Sequence, residues 1–331
     1  MKRTLWFGLI FCLLVSMSMI PVQAAEKKIS VISGPFGTGS YTLSSALEDL
    51  ALKKHPWLRI DHSETPGLVY NCRKLNKDSD LKKNAIHSFT KAINWLAVTG
   101  GKPFKKKYPS TMLIANYNLG SVWLASLNSK LKQPADLKGK NIAIGRATQI
   151  LWAIEPMWAI ENGWNMKQAM DIQYVGTKPA MTALLDGMVD AAIIGGYADP
   201  VSGSMAASPQ TMELIASGKK LYHIPWGKAA IQRVIDKGYP IAPITIKAGA
   251  IKGVDQDIET FCDPISWCAY PEFPEDLAYE VASLIIKNIN EFKNYHALGK
   301  LMSPKALVYG WTPDQIHPGA LRAYKEAGII E

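Results

Sequence analysis

The chain has 331 residues, of which 48% are hydrophobic and 20% charged, and its formal net charge is +9. This length is enough for two lobes that each bury a core. The basic residues occur in short, scattered clusters, which indicates a solvated surface rather than a nucleic-acid-binding patch and leaves open that the positive balance attracts an anion.

Residues 1–24 have the pattern of a secretory signal peptide. Lys2 and Arg3 precede an uncharged apolar run over 5–20, and short residues follow as far as Ala24. The run of about 16 residues falls short of the roughly 20 that span a bilayer, which disfavours the alternative of a membrane anchor. We expect cleavage after Ala24 and a periplasmic mature protein. Cleavage removes two basic residues and lowers the formal net charge from +9 to +7.

The rest of the chain alternates β-prone segments with amphipathic ones, which is typical of an α/β fold with mostly parallel sheets. Before residue 130, the pattern predicts strands and helices over 29–33 (strand), 41–54 (helix), 58–63 (strand), from 69 (helix), 111–115 (strand) and 121–127 (β-prone). A second unit of the same kind is predicted over 141–145 (strand), 149–162 (helix), 171–175 (strand), 179–186 (helix) and 191–194 (strand). The last elements are extended segments over 244–246 and 265–270 and a long helix over 274–292.

The pattern contains two similar units joined by one short extended connection, and a further extended segment late in the chain leads back to the first unit. This arrangement predicts two lobes joined by two crossing strands. We expect lobe 1 to contain residues 25–122 and 267–331, and lobe 2 to contain residues 123–266. Ligands of open α/β sheets bind beyond the carboxyl ends of the strands. The turns at these ends, which should line the cleft, are 34–41, 65–71, 145–149 and 195–199.

The glycine-rich turn at 34–40 superficially resembles two phosphate-binding motifs. A P-loop would carry a lysine before Ser40, and a dinucleotide fingerprint would carry a third glycine where Thr42 stands. Neither motif is therefore present. The turn still exposes backbone N–H groups at a helix start, and the hydroxyls of Thr38 and Ser40 add donors for an anion. The alternative is a tight turn in which Ser40 or Thr42 caps the helix.

Cysteines and histidines give little sign of catalysis. The sequence has no HExxH pair and no Gly-x-Ser-x-Gly elbow, and we expect no metal ion, no cofactor and no enzymatic activity. Cys262 and Cys268 are near enough in sequence to form a disulfide in an oxidising compartment, which would leave Cys72 single. The alternative is that all three are buried as small hydrophobic residues.

Five segments, in this order and at this spacing, resemble the TAXI-type solute receptors of tripartite ATP-independent periplasmic (TRAP) transporters. They lie at 32–41, 65–71, 135–145, 184–196 and 316–328. The resemblance implies a two-lobed periplasmic-binding-protein fold, type II-like, that closes around a small organic anion of the carboxylate type. It also implies a monomer that delivers the anion to membrane-embedded TRAP transporter subunits. A receptor for an ATP-driven importer or a sensor kinase would have the same lobes and is the alternative.

Carried over by position, the resemblance implies ligand contacts from lobe 1. These residues are Thr38, Gly39, Ser40, Tyr41, Thr65, Gly67, Asn71 and Ser88.

The chain departs from the family after Gly145. Arg146-Ala147-Thr148-Gln149 stands where the family has small residues. A guanidinium at a strand end can hold a carboxylate by two hydrogen bonds, and the alternative is a rim arginine paired with a surface acid. Further candidates near the predicted cleft are Phe36, Trp123, Gly196, Tyr197 and Asp199. Their aromatic members would suit a ligand with an apolar portion, or else belong to the core.

Overall fold

The structure of the protein, a computed structural model, describes residues 26–331. The predicted signal peptide lies outside these residues. Among the helices that are described, none has both the length and the apolar character needed to cross a membrane.

Within residues 26–331, eleven strands form one continuous, curled sheet. The strands are β1 (Lys27–Ile32), β2 (Leu58–Ser63), β3 (Ala85–Thr90), β4 (Met112–Ser126), β5 (Asn141–Ile144), β6 (Asp171–Tyr174), β7 (Ala191–Ala198), β8 (Met205–Ala207), β9 (Tyr222–Ile224), β10 (Ala242–Ile246) and β11 (Ile258–Ala269).

The α-helices pack on the faces of this sheet. They are α1 (Gly39–Lys54), α2 (Leu68–Leu75), α3 (Ser79–Asn84), α4 (Lys91–Thr99), α5 (Glu155–Trp158), α6 (Thr177–Leu185), α7 (Pro209–Ala216), α8 (Lys228–Asp236), α9 (Glu275–Lys287) and α10 (Pro318–Glu326). Two π-helical segments, Ile150–Ile154 and Ala159–Trp164, flank α5.

The strand order divides the sheet into two halves. The order is β2-β1-β3-β11-β4-β7-β5-β6, and β1 pairs with β2 and β3 in parallel, as β5 does with β6 and β7. We call the half built on β1–β3 lobe 1 and the half built on β5–β7 lobe 2. The predicted α/β class with mostly parallel sheets in each half is confirmed, while the exact lobe boundaries stay a prediction.

Strands β4 and β11 run antiparallel through the centre and belong to both halves. At one end, residues 265–269 of β11 pair with β3, and at the other, residues 120–125 of β4 pair with β7. These are the two crossing strands that the sequence predicts. The segments predicted separately over 111–115 and 121–127 are in fact one 15-residue strand, which is buried almost throughout. A strand that is covered on both faces is a continuous apolar run in sequence. Apolar and polar residues therefore do not alternate along it, and its full length is hard to predict.

Helix α1 is capped by Thr38, not by Ser40 or Thr42, the two caps that the sequence suggests. The Thr38 side chain accepts a hydrogen bond from the Tyr41 backbone N–H at 3.2 Å, which satisfies one of the free donors of the first turn. Leu43, Leu47 and Leu50 recur on one face and are buried. This face anchors the helix on the sheet and holds its N-terminus at the carboxyl ends of β1 and β3.

Some predicted elements differ from the structure. The long helix predicted over 274–292 ends at Lys287 and continues as a 3-10 segment, Ile289–Asn294. Strand β3 was not among the predicted elements, although all six of its residues are buried.

The predicted disulfide between Cys262 and Cys268 is wrong. Both residues lie on β11, and at about 3.3 Å per residue an extended strand separates them by about 20 Å. A disulfide needs Cα atoms within about 7 Å of each other. Cys72, Cys262 and Cys268 are free and buried, in agreement with their alternative interpretation as small hydrophobic residues.

Candidate functional site

The lobe 1 edge of the candidate site centres on the hydroxyl group of Ser40, in the first turn of α1. This hydroxyl donates to Ser88 Oγ at 2.8 Å and accepts from Tyr117 Oη at 3.0 Å. Burial raises the pKa of the Tyr117 hydroxyl, so it stays protonated and can donate. Ser40 and Ser88, which were both predicted site residues, therefore form one network with Tyr117.

Two more predicted residues hold this edge in place. Asn71 Nδ2 donates to the carbonyls of Ser33 at 2.8 Å and Ser88 at 3.1 Å, and Thr65 Oγ1 donates to the Ser33 carbonyl at 2.5 Å. Thr65 and Asn71 are both buried, and the Gly67 N–H donates to Thr65 Oγ1 at 3.3 Å. The bonds join the segments that follow β1 and β2 to β3, so Thr65 and Asn71 position the edge.

Two residues of this edge, Tyr117 and Asn118, were not predicted from the sequence. In the ladder of β4 and β11, Ile265 pairs with Asn118 and Ser266 with Asn116, so Tyr117 is an extra, bulged residue. A bulge bends the strand and re-aims its side chains, and bulges are frequent next to functional sites. Here Tyr117 reaches Ser40, and Asn118 reaches the start of α1.

Asn118 lies directly against Gly39. A Cβ atom on Gly39 would stand 3.2 Å from Asn118 Nδ2 and 2.7 Å from Leu298 Cδ1, so a larger residue would push these two side chains aside. Asn118 is 5% exposed, and its Oδ1 has no hydrogen-bond partner within residues 26–331. A buried amide without partners usually has an explanation, and a bound ligand is one.

The lobe 2 edge is formed by the turn after β5. The Arg146 N–H donates to Gln149 Oε1 at 2.7 Å, which folds the turn back on itself. Arg146, Ala147 and Thr148 are exposed, and the Arg146 side chain lies beside Gly176. No acidic side chain of residues 26–331 forms an ion pair with Arg146, so the alternative of a rim arginine with an acidic partner finds no support in the described chain.

Both edges converge on the same stretch of β4. Asn118 touches Gly39 of lobe 1, and Gly120, two residues further along, touches Leu151 of lobe 2. A Cβ on Gly120 would lie 2.6 Å from Leu151 Cδ2. Residues two apart on a strand share a face and are separated by about 7 Å. The start of α1 and the segment after the Arg146 turn are therefore neighbours across the crossing strand.

Several predicted contacts from lobe 2 are corrected by the structure. Trp123 is fully buried, and its Nε1 donates to His223 Nδ1 at 3.0 Å, so it belongs to the core. Gly196 is enclosed by β8, where a Cβ would lie 2.1 Å from the Ala206 carbonyl oxygen.

Asp199 stays a prediction as a ligand contact, and its carboxylate already has partners within the protein. It accepts hydrogen bonds from the Val201 N–H at 3.1 Å, from Ser202 Oγ at 2.7 Å and from Ser303 Oγ at 3.0 Å. It closes a turn and ties that turn to the C-terminal segment.

The remaining aromatic candidates lie on opposite sides of the site. Tyr197 is half-buried on β7 opposite Gly120, and burial raises the pKa of its hydroxyl. Phe36 is 74% exposed and meets Tyr41 edge-on, with ring centroids 5.1 Å apart. Tyr41 in turn packs against His62, with centroids 4.8 Å apart. Phe36 and Tyr41 thus present an apolar surface next to the glycine-rich turn.

One hydroxyl–imidazole pair lies nearby. Ser33 Oγ is 2.7 Å from His62 Nε2, but it is fully buried and also bonds to the carbonyls of Gly34 and Ser63. A buried hydroxyl in this position cannot reach a substrate. Within residues 26–331, no group of three His, Cys, Asp or Glu side chains is placed to hold a metal ion.

Two lobes built on parallel strands, joined by two crossing strands, with the start of α1 and the segment after the Arg146 turn neighbouring each other at the crossing, define the fold of the periplasmic binding proteins, type II-like. This confirms the predicted fold. The chain belongs to the NMT1-like family, whose model matches residues 32–328.

Solved structures agree with this fold. The chain is similar to a TctC solute-binding protein from Polaromonas, with 14% identity over 91% of this chain and 96% of that chain and a TM-score of 0.52. It is also similar to SsuA from Methylobacillus flagellatus KT, described as the periplasmic sulfonate-binding protein of a putative sulfonate ABC transporter. That match has 13% identity over 90% of this chain and 76% of that chain, with a TM-score of 0.50. At such identities the likeness concerns the fold alone.

Proposed function

We propose that the protein is a periplasmic solute-binding protein of the TAXI type, which captures a small organic anion between its lobes and delivers it to a TRAP-type membrane transporter. The observation that carries this proposal is the convergence on β4 of two unlike edges. One is a network of donors at the start of α1, and the other is a turn with an exposed arginine that has no acidic partner.

The side chains at the two edges favour an anion of the carboxylate type. Arg146 can donate two parallel hydrogen bonds to a carboxylate, and the first turn of α1 adds N–H groups and the positive end of the helix dipole. Asn118 Nδ2 is a further donor that faces this turn. A sulfonate presents similar oxygens, so sulfonates are tested alongside carboxylates.

Binding between two lobes also explains how delivery could be signalled. A ligand that contacts both edges stabilises the closed arrangement more than the open one, because only the closed arrangement gives it both sets of contacts. The transporter would then recognise the closed protein. The protein would act as a monomer, without a cofactor, and would release its ligand chemically unchanged.

A thermal-shift screen of carboxylates, keto acids, amino acids and sulfonates tests this function. We expect one class to raise the melting temperature, since a ligand present at 100 times its Kd stabilises the native state by about 2.7 kcal/mol. The shift should be small in Arg146→Ala and unchanged in Lys252→Ala, which removes an exposed lobe 2 lysine away from the cleft turns. Equal shifts in both variants, or turnover of the stabilising compound, would contradict the proposal. Co-purification with TRAP membrane subunits, as opposed to an ATP-driven importer, tests the partner.

A further inference from the structure

Two buried carboxyl groups meet where lobe 2 packs against the crossing strand. Glu155 lies on α5 and Asp263 on β11, and both are at most 1% exposed. Asp263 Oδ1 accepts a hydrogen bond from the Ala92 N–H at 3.2 Å, in the first turn of α4. Neither Glu155 oxygen, nor Asp263 Oδ2, has a hydrogen-bond partner elsewhere in the part of the chain that the structure describes.

Few charges are available to compensate this pair. From α4, Lys91 is within electrostatic range of Asp263, but its Nζ donates to the Gly310 carbonyl, and Asp314 also faces it. From β11, the neighbouring Cys262 is a buried thiol whose pKa is raised by burial and by the two carboxyls. Among residues 26–331, neither carboxyl group forms an ion pair within 4 Å.

Ionisation of both Glu155 and Asp263 would carry a large free-energy penalty. Burial raises the pKa of Glu155 well above its usual value, and the charge of Asp263 raises it further. Burial raises the pKa of Asp263 to about 6, partly offset by its hydrogen bonds. One proton shared between the two groups would supply the donor that the unpartnered oxygens lack, as in other carboxyl pairs.

We propose that Glu155 and Asp263 share a proton that holds the two lobes together at this contact, and that loss of the proton loosens the contact, so that cleft opening responds to pH. The geometric basis is that the pair joins lobe 2, through α5, to the crossing strand and to α4 of lobe 1. Ionisation of both groups would place two like charges in the interior of that joint.

The same joint contains the main aromatic contact between the lobes. Trp95 of α4 meets Trp158 of α5 with ring centroids 5.6 Å apart, and Trp158 meets Tyr239 at 4.9 Å. A π-helical segment flanks α5 on each side. Such irregular helical turns are frequent at functional sites.

The segments on the two sides of the contact between Glu155 and Asp263 lead directly into the candidate site. Glu155 follows the Arg146 turn in the same helical segment, and α4 directly follows β3, which carries Ser88. A movement at the joint would therefore shift both edges of the cleft. This link to ligand affinity rests on the proposed function, whereas the response of the joint to pH does not.

The sign of the pH effect follows from the raised pKa values. The stabilisation is complete below the ordinary carboxyl pKa of about 4 and is lost as pH rises through the values in the folded protein, which begin near 6. Four histidines whose pKa is lowered by burial act in the opposite direction in this window. They are common to all variants, so the difference between variant and wild type isolates the carboxyl pair.

Thermal unfolding of the ligand-free protein between pH 5 and 8 is the first test. Glu155→Gln and Asp263→Asn each supply a permanent donor, and either should remove a loss of stability that the wild type shows as pH rises. Glu161→Gln changes an exposed acid on the same helical segment and should follow the wild type. Parallel curves for the wild type and both buried variants would overturn the proposal. If one buried variant fails to fold, the other decides.

The second test measures the lobes directly. Spin labels at Leu52→Cys on lobe 1 and Met188→Cys on lobe 2 use positions that are 70% and 71% exposed, and the three buried cysteines should not react. We expect the distance distribution to shift or broaden between pH 5 and 8 in the wild-type background and to stay fixed with Glu155→Gln. The same pH response in both backgrounds would overturn the proposal. Neither test contains a ligand, so failure of the proposed anion binding leaves both interpretable.

If a stabilising anion is found, its Kd should rise by up to about tenfold per pH unit over this window, the limit for one linked proton. The rise should be absent in Glu155→Gln.

Discussion

The two edges of the cleft are built differently. On lobe 1, Ser40, Ser88 and Tyr117 satisfy one another, and Asn71 ties the strand ends together. On lobe 2, Arg146 is exposed, and two hydrogen bonds between its backbone and Gln149 hold the turn, while its guanidinium forms no ion pair within residues 26–331. The lobe 1 edge is thus held by more side-chain hydrogen bonds than the lobe 2 edge. Substitutions should therefore reduce stability at the first edge and affinity at the second.

The largest effect is expected for Asn71→Ala. The variant loses two hydrogen bonds to the Ser33 and Ser88 carbonyls and leaves a cavity, which together should lower the free energy of unfolding by about 2–4 kcal/mol. Chemical denaturation measures this. Asn84→Ala removes an exposed asparagine of α3 and serves as the control. A cost equal to that of the control would show that the lobe 1 edge is not held by this residue.

Arg146→Ala should lower ligand affinity and leave stability nearly unchanged. We expect anion affinity to fall by about 1.5–3 kcal/mol, the range for a hydrogen bond to a charged group, with a change of less than about 0.5 kcal/mol in stability. Calorimetry with the compound found in the screen measures the first, and denaturation the second. Arg146→Lys keeps the charge but loses the two-bonded geometry, so it should recover only part of the affinity. Unchanged affinity in Arg146→Ala would make the residue a rim arginine.

The smallest effect is expected for Tyr117→Phe. It removes one hydrogen bond to Ser40 Oγ and should cost about 0.5–1.5 kcal/mol of stability. Tyr174→Phe makes the same chemical change at an exposed position near the lobe 2 edge and should be nearly neutral. A larger cost for Tyr174→Phe than for Tyr117→Phe would reverse the proposed contrast between the edges.

Local chemistry allowed much of lobe 1's edge to be predicted. The glycine-rich turn and the hydroxyls of Thr38 and Ser40 lie within a few residues of one another, so their place at the start of α1 can be inferred without the rest of the chain, although the cap itself is Thr38 and not Ser40 or Thr42. Several strands and helices of both lobes were likewise predictable from hydrophobic periodicity, whereas β3, α4, α7 and α8 were not predicted.

The site residues that were not predicted, and the predictions that were wrong, depend on pairing between strands that are distant in sequence. The bulge that aims Tyr117 and Asn118 arises from the register with β11, which lies far away in sequence. Trp123 was expected in the cleft, but periodicity cannot tell which side of a strand buried on both faces meets the ligand. The predicted disulfide failed for a related reason, since the full length of β11 was not recognised.

The position of β11 in the sheet has a consequence for how the molecule is assembled. Residues 258–269 stand between β3 and β4, which are formed from the first 126 residues, and the bridge from Leu113 to Ile316 adds a partner from still later in the chain. A nascent chain therefore lacks the central strand of its first half until most of the polypeptide has been made. Contacts this distant in sequence form slowly. Biosynthesis should thus yield an almost complete polypeptide before lobe 1 can become native.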